Sequence, residues 1–168
     1  MNTNRNEAAV YVGTYAKYNN GSIKGAWLML EDYSDKDEFL KACCELHKDE
    51  TDPELMFQDY ECFPDRYYGE CSIDSDIWEV YFTIDEDLRE AFEIFVDSGL
   101  GTDKDQFEEA YQGEFNSELD FTYGLVDDMG IIGKGDSTLE RYFDYEKFSR
   151  DLFIGDYTFI NGYVFGQY

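Results

Sequence analysis

The sequence predicts an α+β protein with antiparallel β-sheets toward both ends and a helical middle. Three observations carry that prediction. Runs of aromatic and β-branched residues lie near both termini, capped amphipathic segments lie between them, and the regular strand–helix alternation of a parallel sheet is missing. No internal repeat with a period of roughly 20–50 residues is visible.

Residues 8–18 and 23–30 are aromatic and β-branched runs on either side of Asn19-Asn20-Gly21, which reads as a β-hairpin. Ser34 can cap a helix whose first turn is crowded with acids, and Phe39, Leu40, Cys43, Leu46 and His47 recur along it at helical spacing. Residues 54–61 alternate as a third strand, and Cys62-Phe63-Pro64-Asp65 breaks the pattern, which sets a first module at 1–61. In the next stretch Ser75 or Asp76 can cap a helix bearing Ile77, Val80, Tyr81 and Ile84, with a strand as the rival reading because of its β-branched content. Thr83 and Glu86 form a capping box before Leu88, Ala91, Phe92, Phe95 and Val96, and Gly99 supplies the left-handed stop. Thr102 repeats the device before Phe107, Ala110 and Tyr111, ending at Gly113, and Ser117 starts a short helix toward Gly130. The glycine-rich stretch 130–136 leads to a third box, Ser137 with Glu140, opening a helix that continues to Phe153. Strands at 156–160 and 163–165 flank Asn161-Gly162, a pair suited to both positive φ angles of a type I′ turn. The remaining modules are thus an acidic helical one at 62–103 and a C-terminal α+β one at 104–168.

Charge decides which partners are open to such a chain. Its 168 residues hold 39 acidic and 13 basic side chains, a net charge of −26. Direct nucleic-acid binding is excluded, because a polyanion is held by neutralising its phosphates, and anionic membranes are repelled for the same reason. The natural partner is positively charged. Disorder does not follow from the charge, since 43% of the residues are hydrophobic and 18% aromatic. No stretch is long and apolar enough to span a membrane, residues 1–6 lack a signal peptide's apolar run, and the four cysteines form no CxxC pair, so a reduced, cytoplasmic location is expected. The net charge is −7 over residues 1–61, −10 over 62–103 and −9 over 104–168, densest in the 42-residue middle. There Asp65, Glu70, Asp74, Asp76, Glu79, Asp85, Glu86, Asp87, Glu90, Glu93, Asp97 and Asp103 alternate with apolar residues, so folding pushes them onto outward faces. Asp105, Glu108, Glu109, Glu114, Glu118 and Asp120 extend the acidic series. The 26 net charges equal those on roughly 44 Å of duplex DNA. A solvated surface that only keeps the protein soluble is the plainer reading of the same composition.

Catalytic chemistry is poorly represented. The single histidine, His47, lies one helical turn after Cys43, which suits core packing better than a thiol site. Cys43, Cys44, His47, Cys62 and Cys71 lack the ligand spacing of a structural zinc site. Paired carboxylates are too abundant to mark a glycosidase, residues 74–76 and 85–87 lack the glycine and closing glutamate of a calcium loop, and no phosphate-binding glycine motif occurs. No enzyme activity, metal or cofactor is expected.

The segment 9–30, the segment 52–61 and the acidic stretch ending at residues 87–92 resemble the ArdA antirestriction proteins of mobile genetic elements. The resemblance extends over nearly the whole chain, and its first two segments are the specific ones. It implies an elongated, curved DNA mimic of three small modules that dimerises through its C-terminal part. Its carboxylates would imitate the phosphates of bent B-form DNA and block the DNA-binding groove of type I restriction-modification enzymes, in the methyltransferase core. A dimer would carry −52, the charge of roughly 88 Å of duplex. The resemblance also implies an acidic antirestriction motif, placed on residues 119–130. There Tyr123, Leu125, Val126 and Met129 form either a dimer seam, with Asp127 and Asp128 as its acidic rim, or the ordinary core of the last module. An acidic chaperone or sequestering module for a basic DNA-binding protein is the alternative function.

Overall fold

The computed structural model describes residues 7–133 and 137–167, with the side chains of residues 137 and 140 left out of the description. The chain forms two compact units that divide between Glu86 and Asp87. That division falls inside the 62–103 segment.

In the first unit, β1 (Ala9–Thr14) is the middle strand of an antiparallel sheet, flanked by β2 (Ala26–Met29) and β3 (Leu55–Glu61). Val10 and Val12 are fully buried, as a central strand of β-branched residues requires. The hairpin expected over residues 8–30 is interrupted by α1 (Tyr15–Asn19). Thr14 ends the strand by turning its hydroxyl onto the Lys17 amide at 3.2 Å, and the five residues that follow contain no β-branched side chain. Next comes α2 (Lys36–Leu46), which buries Phe39 and Cys43. Its cap is Asp35, whose carboxylate accepts from the Glu38 amide at 2.8 Å, while Ser34 donates through its amide and hydroxyl to the Glu38 side chain. Phe39 packs against Phe57 and Trp78 at ring separations of 5.7 and 5.5 Å, and the Trp78 indole donates to the Leu30 carbonyl at 2.9 Å.

Between residues 62 and 86 neither a full helix nor a long strand forms. A two-rung ladder, β4 (Tyr68–Gly69) with β5 (Ser72–Ile73), leads to the single turn α3 (Asp76–Glu79) and a 3-10 turn at Tyr81–Thr83. Of the apolar residues read there as one helical stripe, Ile77, Tyr81 and Ile84 are buried by these turns and Val80 is half-buried, and Ile73 and Trp78 are buried with them. The capping box expected from Thr83 and Glu86 does not open the next helix. The Thr83 hydroxyl turns back to the Val80 carbonyl at 2.6 Å, and α4 (Arg89–Asp97) starts after a 3-10 turn with no side-chain cap.

The second unit adds α5 (Lys104–Ala110), β6 (Tyr111–Glu114), α6 (Glu118–Asp128), α7 (Ser137–Tyr142), α8 (Tyr145–Gly155), β7 (Tyr157–Ile160) and β8 (Tyr163–Gly166). Its antiparallel sheet runs β6-β8-β7. The cap of α5 is Asp103, one residue later than expected, with Gln106 reaching back to the Thr102 amide at 2.9 Å. Tyr111 leaves the helix for β6, pairing with Phe165. Ser117 caps α6 through the Asp120 amide at 3.1 Å, as its position predicts. The helix expected to run from 137 to 153 is two helices, because Asp144 caps α8 through the Lys147 amide at 3.0 Å. The side chains of the expected Ser137–Glu140 box lie outside the description. The β7–β8 turn is the one its sequence specifies, with φ +51° at Asn161 and +93° at Gly162. Phe92, Phe95, Phe107, Val164 and Phe165 form the core, with Phe107 set edge-on to Phe92 at 5.4 Å.

Candidate polyanionic surface

Each unit carries the same net charge. Residues 1–86 hold 20 acidic and 7 basic side chains, and residues 87–168 hold 19 and 6, giving −13 in both. Even if every Lys and Arg held one carboxylate, 26 would still lack an ion-pair partner.

Helix periodicity puts these carboxylates in water. In α4, Glu90, Glu93 and Asp97 recur at steps of three and four on the side opposite the buried Ala91, Phe92 and Phe95. In α5, Asp105, Glu108 and Glu109 lie opposite the buried Phe107 and Ala110. Asp65, Glu70, Asp74, Asp76, Glu79, Asp85, Glu86 and Asp87 are exposed on the turns of 65–87, as are Glu114 on β6 and Glu118 and Asp120 at the start of α6. Of the eighteen acids singled out in the sequence, only Glu93 and Asp103 are half-buried, and Asp103 spends its carboxylate on the α5 cap. Exposed acids also lie outside that series. Glu31, Asp32, Asp35, Asp37, Asp52, Glu54 and Asp59 are equally exposed, and nothing beyond charge itself distinguished them in the sequence.

Several acids stand where helix electrostatics opposes them. Asp97, Glu108, Glu109, Asp127 and Asp128 occupy the last turns of α4, α5 and α6, none of which has a basic residue there. A carboxylate at the negative end of a helix costs on the order of 0.3–1 kcal/mol. The phenols report the same field. The Tyr60 hydroxyl donates to Asp65 at 2.5 Å, and that bond, with burial, raises its pKa. Burial, then the charge of Glu70, raises Tyr68, and burial followed by Glu90 and Glu114 raises Tyr163.

The segment read as either a seam or a core is buried in part. Val126 is buried inside the unit and Leu125 is half-buried, whereas Tyr123, Asp127, Asp128 and Met129 are exposed. Ile131, Leu139, Tyr142 and Ile154 are also exposed, on the elements from α6 to α8. A groove of about 710 Å³ opens nearby, lined by Ser117, Glu118 and Leu119 on one side and by Glu146, Ser149, Arg150, Phe153 and Ile154 of α8 on another, with Phe159.

The thiol and imidazole weighed as a catalytic pair are unsuited to it. Cys43 is fully buried, and burial pushes its thiol up to about 12, so no thiolate forms near neutrality. His47 is buried as well, with its Nε2 bonded to the Val12 carbonyl at 3.2 Å. No helix among the described residues is long and apolar enough to cross a membrane.

An α+β scaffold whose helices and turns hold a polyacidic surface over small aromatic cores defines a class of acidic, surface-charged proteins. The family model for the antirestriction protein ArdA matches residues 10–165 of the chain. The chain belongs to the ArdA antirestriction family, whose members inhibit restriction enzymes. No curated protein matches it.

Proposed function

We propose that the chain imitates DNA and competes for the DNA-binding groove of type I restriction-modification enzymes. The observation that carries this reading is the placement of the acids: sixteen of the eighteen singled out between residues 65 and 120 are exposed, and those of α4 and α5 lie opposite buried faces. A groove lined with Lys and Arg gains by releasing counterions from DNA, and carboxylates held on short helices and tight turns release them in the same way. Fixed carboxylates also avoid the ordering cost that a disordered acidic tail would incur. The exposed apolar side chains of α6 to α8 supply the surface for a homodimer, with Tyr123, Met129 and the half-buried Leu125 toward the partner and Asp127 and Asp128 at the rim. The protein acts in the cytoplasm, where such enzymes meet incoming DNA.

The test is ATP-dependent cleavage of unmodified DNA by a purified type I enzyme, with this protein titrated in at two salt concentrations. Stoichiometric inhibition that weakens with salt, with loss of DNA binding by the methyltransferase core, is the expected result. Inhibition that is absent at every ratio overturns the reading and leaves a sequestering module for some other basic protein. Neutralising Asp74, Asp76, Glu79, Glu86, Glu90 and Asp97 together to Asn or Gln should raise the half-inhibitory concentration at least ten-fold, while single changes stay within about two-fold because each removes one of many contacts.

A further inference from the structure

Three ligand-type side chains of the first unit converge just after α2. One ligand atom from each of His47, Asp49 and Glu50 lies within 4.8 Å of the others. At the centre of the three is not a void but the ammonium of Lys17, 2.8 Å from His47 Nδ1, 2.8 Å from Asp49 Oδ1 and 3.2 Å from Glu50 Oε1. Two of the ligands are already oriented from behind, as metal ligands are. The Val12 carbonyl can only accept, so His47 Nε2 carries the proton and Nδ1 turns its lone pair to the lysine. The Thr14 hydroxyl donates to Glu50 at 2.7 Å.

We propose that this is a divalent-cation site of one imidazole and two carboxylates, filled and closed by the chain's own Lys17. An ammonium and a small divalent ion ask for the same donors and differ in reach. Zinc draws nitrogen and oxygen ligands to ~2.0–2.2 Å, so they would close in by about 0.7–1.1 Å once the lysine is withdrawn. A chain of net charge −26 gathers divalent counterions all over its surface, and a buried nitrogen ligand beside two carboxylates is where loose association would become coordination. Lys17 forestalls it, and holds α1 to the turn that follows α2 without an exchangeable ion.

His47 is the only histidine, so its ring resonances report the site without assignment by mutation. Zinc is titrated into the wild-type chain and into Lys17→Met, which keeps the stem and removes the charge, and the imidazole signals are followed by NMR. The wild-type signals should stay in place at one equivalent. Those of Lys17→Met should shift and saturate at one equivalent with at least ten-fold tighter binding, and the companion Lys17→Met/Asp49→Asn/Glu50→Gln, which keeps the reporter ring, should lose that tight event. A wild-type ring that shifts with one equivalent overturns the proposal, since the site would then be open. So does a Lys17→Met chain that keeps its circular dichroism and shows no shift. If Lys17→Met does not fold, pulsed reductive methylation of the wild type decides: Lys17 modified at least ten-fold more slowly than the exposed Lys48 supports the built-in cation, and equal rates overturn it.

Discussion

Lys17 shows how much one residue can do in a chain so short of cations. Its ammonium lowers the pKa of Asp49, and it acts after the Thr14 hydroxyl in lowering Glu50, while the Asp49 bond leads in raising its own. A depressed carboxylate stabilises the fold above its ordinary pKa and loses that contribution as pH falls, whereas a raised lysine does so below its ordinary value and loses it as pH climbs. Asp49 and Glu50 have ordinary values of 3.8 and 4.5 and Lys17 one of 10.5, so the interaction is complete between pH 4.5 and 10.5. The difference in melting temperature between wild type and Lys17→Met should therefore shrink below pH 4, as the carboxylates take up protons, as thermal scans across pH would show. Cysteine chemistry gives a second residue-scale expectation. Cys44, Cys62 and Cys71 are exposed and Cys43 is buried, so a thiol reagent at pH 8 should titrate three groups in the native protein and the fourth only after unfolding.

At the scale of the element, helix starts follow local rules and helix ends do not follow stability. Asp35, Asp103, Ser117 and Asp144 each bond an amide of the first turn, the ordinary way to satisfy an orphan donor. The last turns of α4, α5 and α6 carry acids where basic residues would help. Charge stands there against the helix dipole, at a cost in stability. Converting Asp127 and Asp128 to Asn should therefore stabilise the protein by about 0.5–2 kcal/mol in low salt, from the dipole term of the two sites together. Urea unfolding of the double variant measures it, and a loss of stability would show that these carboxylates make bonds the dipole argument ignores.

For the whole molecule, net charge sets two opposite responses to salt. Self-repulsion from a net charge of −26 opposes folding, so added salt should raise the melting temperature. Attraction to a basic groove is screened by the same ions, so inhibition should weaken over the same range. Measuring both on one preparation separates them: a protein that melts at higher temperature yet inhibits less in salt binds through charge, whereas inhibition that tracked stability would mean that salt acts by changing how much protein is folded.

Much of this was legible in the sequence. The Asn161-Gly162 turn, the Ser117 cap and the outward acids of α4 and α5 follow from rules that reach only a few residues along the chain, namely backbone φ preference, first-turn hydrogen bonds and helical period. Net charge, too, is a sum over residues and needs no fold. Tertiary structure decided what depends on distant partners. Thr14 became a helix cap instead of mid-strand, and residues 72–84 bury their apolar side chains through short turns because Trp78 reaches Leu30 and Phe39. Tyr111 left its helix because Phe165 offered a strand to pair with. Lys17 met His47, thirty residues away, only because the turn after α2 packs beside the end of β1. Burial and hydrogen bonding between residues far apart in the chain override local propensity there, since the free energy of filling a core exceeds the few tenths of a kcal/mol, on the order of 0.5, that separate one local conformation from another.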